Sequence, residues 1–89
     1  MGFKVSFSPH AVRAFRGFSD DLKEKVGKAV EEMKRSPFHG PDIKKMKGTL
    51  KDYHRYRIGD HRILYAISKE RKEVFVDYIQ DRKDVYRKG

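Results

Sequence analysis

The sequence predicts an α+β fold of order β-α-α-β-β-β, a small antiparallel twisted sheet with an N-terminal αα-hairpin packed on one face. Three observations predict it. Phe3, Val5 and Phe7 alternate with Lys4, Ser6 and Ser8, the period of a strand with one apolar face. Two helix-start signals, Ser8-Pro9 and Ser19-Asp20-Asp21, then precede apolar stripes at helical spacing. Last come three β-favouring runs, 53–58, 61–67 and 74–79, separated by Gly59-Asp60 and by a charged turn.

Each element has its own warrant. Ser8 can cap a helix with Pro9 at its first position, and Ala11, Val12, Phe15 and Phe18 share one face. Gly17 weakens the end of that helix. Ser19 caps the second helix, and Asp20 and Asp21 suit its positive end. Leu22, Val26, Ala29, Val30 and Met33 form its apolar stripe, and Pro37 stops it. Ser36 to Asp42 reads as a loop, and Ile43 to Gly48 is basic and ambiguous. Gly59-Asp60 is a hairpin signal, so the last three strands form a meander. The first strand must join an edge or the middle of that sheet, and the helices cover one sheet face.

With 89 residues the chain reads as one domain, 1–89. It has no cysteine, which excludes a disulfide-stapled fold, a cysteine zinc site and a thiol nucleophile. No apolar run approaches the ~18 residues of a membrane span, and Met1 to Val5 lacks the apolar block of a signal peptide. A cytoplasmic protein without a membrane partner is expected. Lys and Arg total 22 against 13 Asp and Glu, a net charge of +9. Such a surface attracts polyanions, with nucleic acid the first candidate, an anionic membrane surface the second and an acidic protein the third. A surface charged only for solubility is the competing explanation.

Strand parity places that charge. Residues two apart share a face. Arg55 and Arg57 therefore point one way, and His54, Tyr56 and Ile58 the other. In the next strand Arg62, Leu64 and Ala66 oppose the more apolar His61, Ile63, Tyr65 and Ile67. Turning the apolar sets toward the helices gathers Arg55, Arg57 and Arg62 on the bare face, unless a bulge intervenes. Lys44, Lys45 and Lys47 approach from one side, and Arg82, Lys83, Arg87 and Lys88 from the tail, with Tyr86 among them. Guanidinium groups on an open sheet beside an aromatic suit a nucleic-acid backbone, because arginine grips phosphate in bidentate fashion and stays charged. The competing role is a solvated, edge-protecting strand face. No pair of histidines has metal-ligand spacing, and neither a Gly-rich phosphate loop nor a Ser-His-Asp set is present. No metal site or cofactor is expected.

Three stretches, 43–48 (IKKMKG), 56–65 (YRIGDHRILY) and 81–86 (DRKDVY), resemble the RelE/ParE superfamily of toxins from type II toxin–antitoxin systems. The resemblance covers essentially the whole chain, and the tail Arg82-x-x-Val85-Tyr86 looks like the RelE branch. It implies a metal-independent mRNA endoribonuclease acting in the ribosomal A site. It also implies a RelB-like antitoxin partner, with operator DNA bound only through that antitoxin. By the same resemblance the catalytic residues are Arg62, Tyr86, Arg57, Arg55 and Arg82, and Lys44, Lys45, Lys47, Lys83 and Arg87 bind RNA. Arg55 and Arg57 stand where the best-studied members carry lysines, and Gln80 where some carry an arginine serving the leaving group. Arginine holds its proton too firmly to act as a base, so the base is open between Lys47, near in sequence, and the histidines, which have suitable intrinsic pKa values but the opposite parity. Tyr56, Tyr65 and Tyr78 with the apolar helix surfaces are candidate antitoxin contacts, core packing being their competing role. The alternatives are a ParE-like, non-enzymatic gyrase inhibitor and an inactive homologue that keeps only antitoxin binding.

Overall fold

A computed structural model describes residues 2–81. Its elements are β1 (Lys4–Phe7), α1 (Pro9–Arg16), α2 (Asp20–Arg35), β2 (Ile43–Lys45), β3 (His54–Ile58), β4 (His61–Ser68) and β5 (Glu73–Asp81). A single 3-10 turn, Gly48–Leu50, links β2 to β3. The ambiguous 43–48 segment thus supplies an extra edge strand.

Both helices begin where their caps place them. Ser8 Oγ accepts from Ala11 N at 3.0 Å and Ser19 Oγ from Leu22 N at 3.2 Å. Pro9 opens α1, and Asp20 and Asp21 occupy the first turn of α2. Each cap satisfies a donor that the helix itself leaves unpaired.

The five strands lie in the order β1-β5-β4-β3-β2. β2 through β5 pair antiparallel, but β1 runs parallel to β5, so the sheet is mixed rather than wholly antiparallel. β1 joins the apolar edge: Val5 lies opposite Val74 and Phe7 opposite Val76. Burying those pairs is worth more than pairing with β2, which is short and basic. At the β3–β4 hairpin Ile58 pairs with His61, and Gly59 takes φ +54, a conformation that costs a residue with a Cβ.

The core lies between helices and sheet. Ala11, Val26, Ala29 and Met33 meet Tyr56, Ile63, Tyr65, Val74, Val76 and Ile79. Two buried phenols keep partners: Tyr56 donates to Glu32 Oε2 at 2.9 Å and Tyr65 to the Pro37 carbonyl at 2.8 Å. Burial, then the Glu32 bond, pushes the Tyr56 phenol up to about 12, and burial raises Tyr65 further. Of the two roles expected for these tyrosines, core packing is the one Tyr56 and Tyr65 have, whereas Tyr78 is exposed. Among the described residues, no helix is long and apolar enough to cross a membrane.

Candidate nucleic-acid interface

The strand pairing sets the basic face. Arg57 lies directly opposite Arg62, and Arg55 opposite Lys44. Opposed residues point to the same side of a sheet, so all four cations stand on the face that the helices leave open. Among the described residues, no carboxylate forms an ion pair with the three guanidiniums. Like charges placed opposite one another are destabilising by up to ~1 kcal/mol, a cost that a bound anion would reverse.

A recess of about 430 Å³ opens on this face, lined by Lys44, Lys45, Met46, Lys47, Arg55 and Arg62. Arg55 is anchored there, its Nη1 donating to the Asp42 carbonyl at 3.1 Å. Lys45 Nζ donates to the Lys51 carbonyl at 3.2 Å. Arg57 is exposed and lies outside the lining, toward the hairpin turn. The recess therefore joins two of the three expected arginines to Lys44 and Lys47, while Lys45, opposite His54, only edges it from the helix side. Arg82, Lys83, Tyr86 and Arg87 lie outside the described residues. Gln80 sits opposite Arg62, where an arginine would extend the cluster.

His54 does not join this face. His54 stacks on Tyr65 with centroids 5.9 Å apart, on the helix side. Burial first, then Lys45 and His39, lowers its pKa below the usual 6.5. The shift favours the neutral imidazole, which points away from the recess. A second, broader hollow joins Phe38, His39, His54 and Lys69 and shares Lys44 and Lys45 with the first. Among the described residues, no group of three His, Asp or Glu side chains could hold a metal ion.

Sequence reasoning missed one polar pair on the open face. Tyr53 donates from its hydroxyl to Asp77 Oδ2 at 2.6 Å, across the intervening β4. The bond to Asp77 is the main reason the Tyr53 pKa is raised above 10.0. Tyr53 shares the parity of Arg55 and Arg57, which was the available signal. Asp77 lies within an apolar run and gives no comparable sign.

The ParE toxin model, described as the toxin of the type II toxin–antitoxin system parDE, matches residues 5–86. Among curated protein sequences none matches this chain. Solved structures do. The archaeal RelE–RelB complex of Pyrococcus horikoshii is similar at 21% identity and TM-score 0.80, covering 92% of this chain and 97% of that one. The toxin–antitoxin complex RelBE2 of Mycobacterium tuberculosis is similar at 23% identity and TM-score 0.80, covering 92% and 100%. The intact E. coli RelBE complex has 21% identity and TM-score 0.76, covering 89% and 95%. At these identities the structures establish the fold, and the family model establishes membership. The chain belongs to the ParE toxin family of type II toxin–antitoxin systems, within the superfamily that also holds the RelE and YoeB toxins.

Proposed function

We propose that this toxin is a ribosome-dependent mRNA endoribonuclease of the RelE kind, with the open basic face as its active surface. The supporting observation is the recess where Arg55, Arg62, Lys44 and Lys47 converge. In the proposed reaction the ribose 2′-oxygen attacks the adjacent phosphorus and the bond to the 5′-oxygen breaks. The products are a 2′,3′-cyclic phosphate and a 5′-hydroxyl. In this reading Arg62 and Arg55 stabilise the charge that builds on the non-bridging oxygens. Arg57 guides the strand from the hairpin side.

Neither arginine can take the 2′-hydroxyl proton. Lys47 lines the same recess and is the proposed acceptor of that proton. Much of the acceleration comes from holding the RNA in line, which is worth ~7–11 kcal/mol at most. Arg82 would assist the leaving oxygen and Tyr86 would stack on a base or hydrogen-bond to the ribose; both roles rest on the family resemblance. Lys83 and Arg87 would add phosphate contacts. The proposed partners are the ribosome with its mRNA and a RelB-like antitoxin, as in the RelE–RelB complexes of similar fold; operator DNA would be bound only through that antitoxin. A cytoplasmic location follows from those partners.

Cleavage of mRNA on programmed ribosomes tests the reading, using wild type, Arg62→Ala, Tyr86→Phe and Lys47→Arg. Wild type is expected to cut, and all three variants to slow sharply. An intact message with wild type, or variants that cut as fast, overturns it. A second reading, non-enzymatic inhibition of DNA gyrase, is favoured by the ParE model match over residues 5–86. It expects cleaved DNA in a supercoiling assay with RNA untouched. An inactive homologue would do neither and would still bind its antitoxin.

A further inference from the structure

We propose that Phe75 and Tyr78 form a stacking shelf for an unpaired base of the strand whose phosphates occupy the Arg55–Arg62 recess; this rests on the RNA reading above. Phe75 is 44% exposed and Tyr78 39%, the two large apolar side chains left in solvent among the described residues. Three positions apart, they would fall on opposite faces of a regular strand. A bulge changes that. Leu64 lies opposite Tyr78 while the next residue, Tyr65, lies opposite Val76, so Asp77 is the extra residue. The bulge turns Tyr78 to the side of Phe75, the open face.

The bulge is held from three directions. Ser8 N donates to the Val76 carbonyl at 2.8 Å, Ser8 Oγ to the Asp77 carbonyl at 2.6 Å, and Tyr53 to the Asp77 carboxylate at 2.6 Å. Small neighbours leave the Phe75 ring uncovered: it lies opposite Ser6 on one side and Ala66 on the other. The Tyr78 ring packs edge to face with His10, centroids 5.0 Å apart.

The shelf adjoins the recess. Arg62 lies opposite Gln80 and Leu64 opposite Tyr78. Tyr78 is thus the diagonal neighbour of Arg62, ~7–8 Å away, and Phe75 lies ~13 Å along the strands. One extended chain can touch both. Charge complementarity selects the occupant. The recess presents cations, whereas the carboxylate of Asp77, which lies between Phe75 and Tyr78 in sequence and is held by Tyr53, repels phosphate and favours a flat, uncharged group. A polyanion that carries such groups at short intervals is single-stranded nucleic acid.

Binding of two probes by the purified chain tests this. One is a 2′-O-methyl oligoadenylate of about six nucleotides, which cannot be cleaved; the other is an abasic ribose-phosphate chain of equal length. Wild type is expected to prefer the oligoadenylate. Phe75→Ala and Tyr78→Ala should each weaken it roughly 5- to 100-fold, leaving abasic binding and the salt slope unchanged. Tyr78→Phe, which keeps the ring, should bind as wild type. Salt-dependent but equal binding of both probes overturns the shelf and leaves the RNA reading standing. Absence of binding to either probe overturns the shelf, while cleavage on programmed ribosomes decides the RNA reading separately. Variants that bind RNA normally but lose a co-expressed antitoxin overturn the shelf in favour of a protein-docking surface.

Discussion

Arg62 carries more of this account than any other residue, and the opposed Arg57 shows what the cluster costs. In the free protein the two guanidiniums repel across the β3–β4 pair. Arg57→Gln should therefore raise stability by ~0.2–1 kcal/mol at low salt, with the gain shrinking as salt screens the pair. A thermal melt series in salt checks this; an Arg57→Gln variant less stable at low salt would show that the pair is not repulsive. For Arg62→Ala the loss should be functional, a cleavage rate lower by ~10²–10³. Arg62→Lys should recover part of it, since lysine keeps the charge but not the bidentate grip. At alkaline pH the controlling residue is Tyr56. Its folded pKa stands at about 12 against an ordinary 10.0. The neutral phenol is the form the fold favours. Its contribution is complete below pH 10 and is lost as pH rises through about 12. Tyr56→Phe should cost about 0.5–1.5 kcal/mol near neutrality and make the alkaline fall in Tm shallower. An unchanged alkaline limb would contradict the assignment.

Among the elements, β5 joins the fold to the proposed chemistry. Ser8 both caps α1 and ties down the Asp77 bulge, and it is buried, whereas the Ser19 cap is exposed. Ser8→Ala should thus cost more than Ser19→Ala, roughly 2 kcal/mol or above against about 1. Equal losses in denaturant titrations would show that the Asp77 bond contributes nothing. The elements also separate what was legible in the sequence from what was not. Caps at Ser8 and Ser19 and the parity of 54–58 and 61–67 are local signals, and they place the helices and the arginine face correctly. Three features are not local. Ile43–Lys45 has too few apolar residues to announce a strand, and it forms because Ile43 finds Tyr56. The parallel seat of β1 depends on a partner about seventy residues away. The bulge hides in 74–79, where apolar residues on both faces conceal the change of phase, so the positions of Phe75 and Tyr78 could not be read.

At the scale of the whole molecule, the chain carries a net charge of +9, and the fold gathers Arg55, Arg62, Lys44 and Lys47 around one recess. If all four neutralise phosphates, the logarithm of the binding constant should fall with the logarithm of salt at a slope of about −2.8, at ~0.7 per contact. A slope near −1 would mean that the recess is not where RNA sits. The most direct test is induced expression in a test cell, with primer-extension mapping of its messages and analysis of the cut ends. The expected result is discrete cuts ending in 2′,3′-cyclic phosphate and 5′-hydroxyl groups, absent with Arg62→Ala. Arrested growth with uncut messages and gyrase-linked DNA breaks would contradict it.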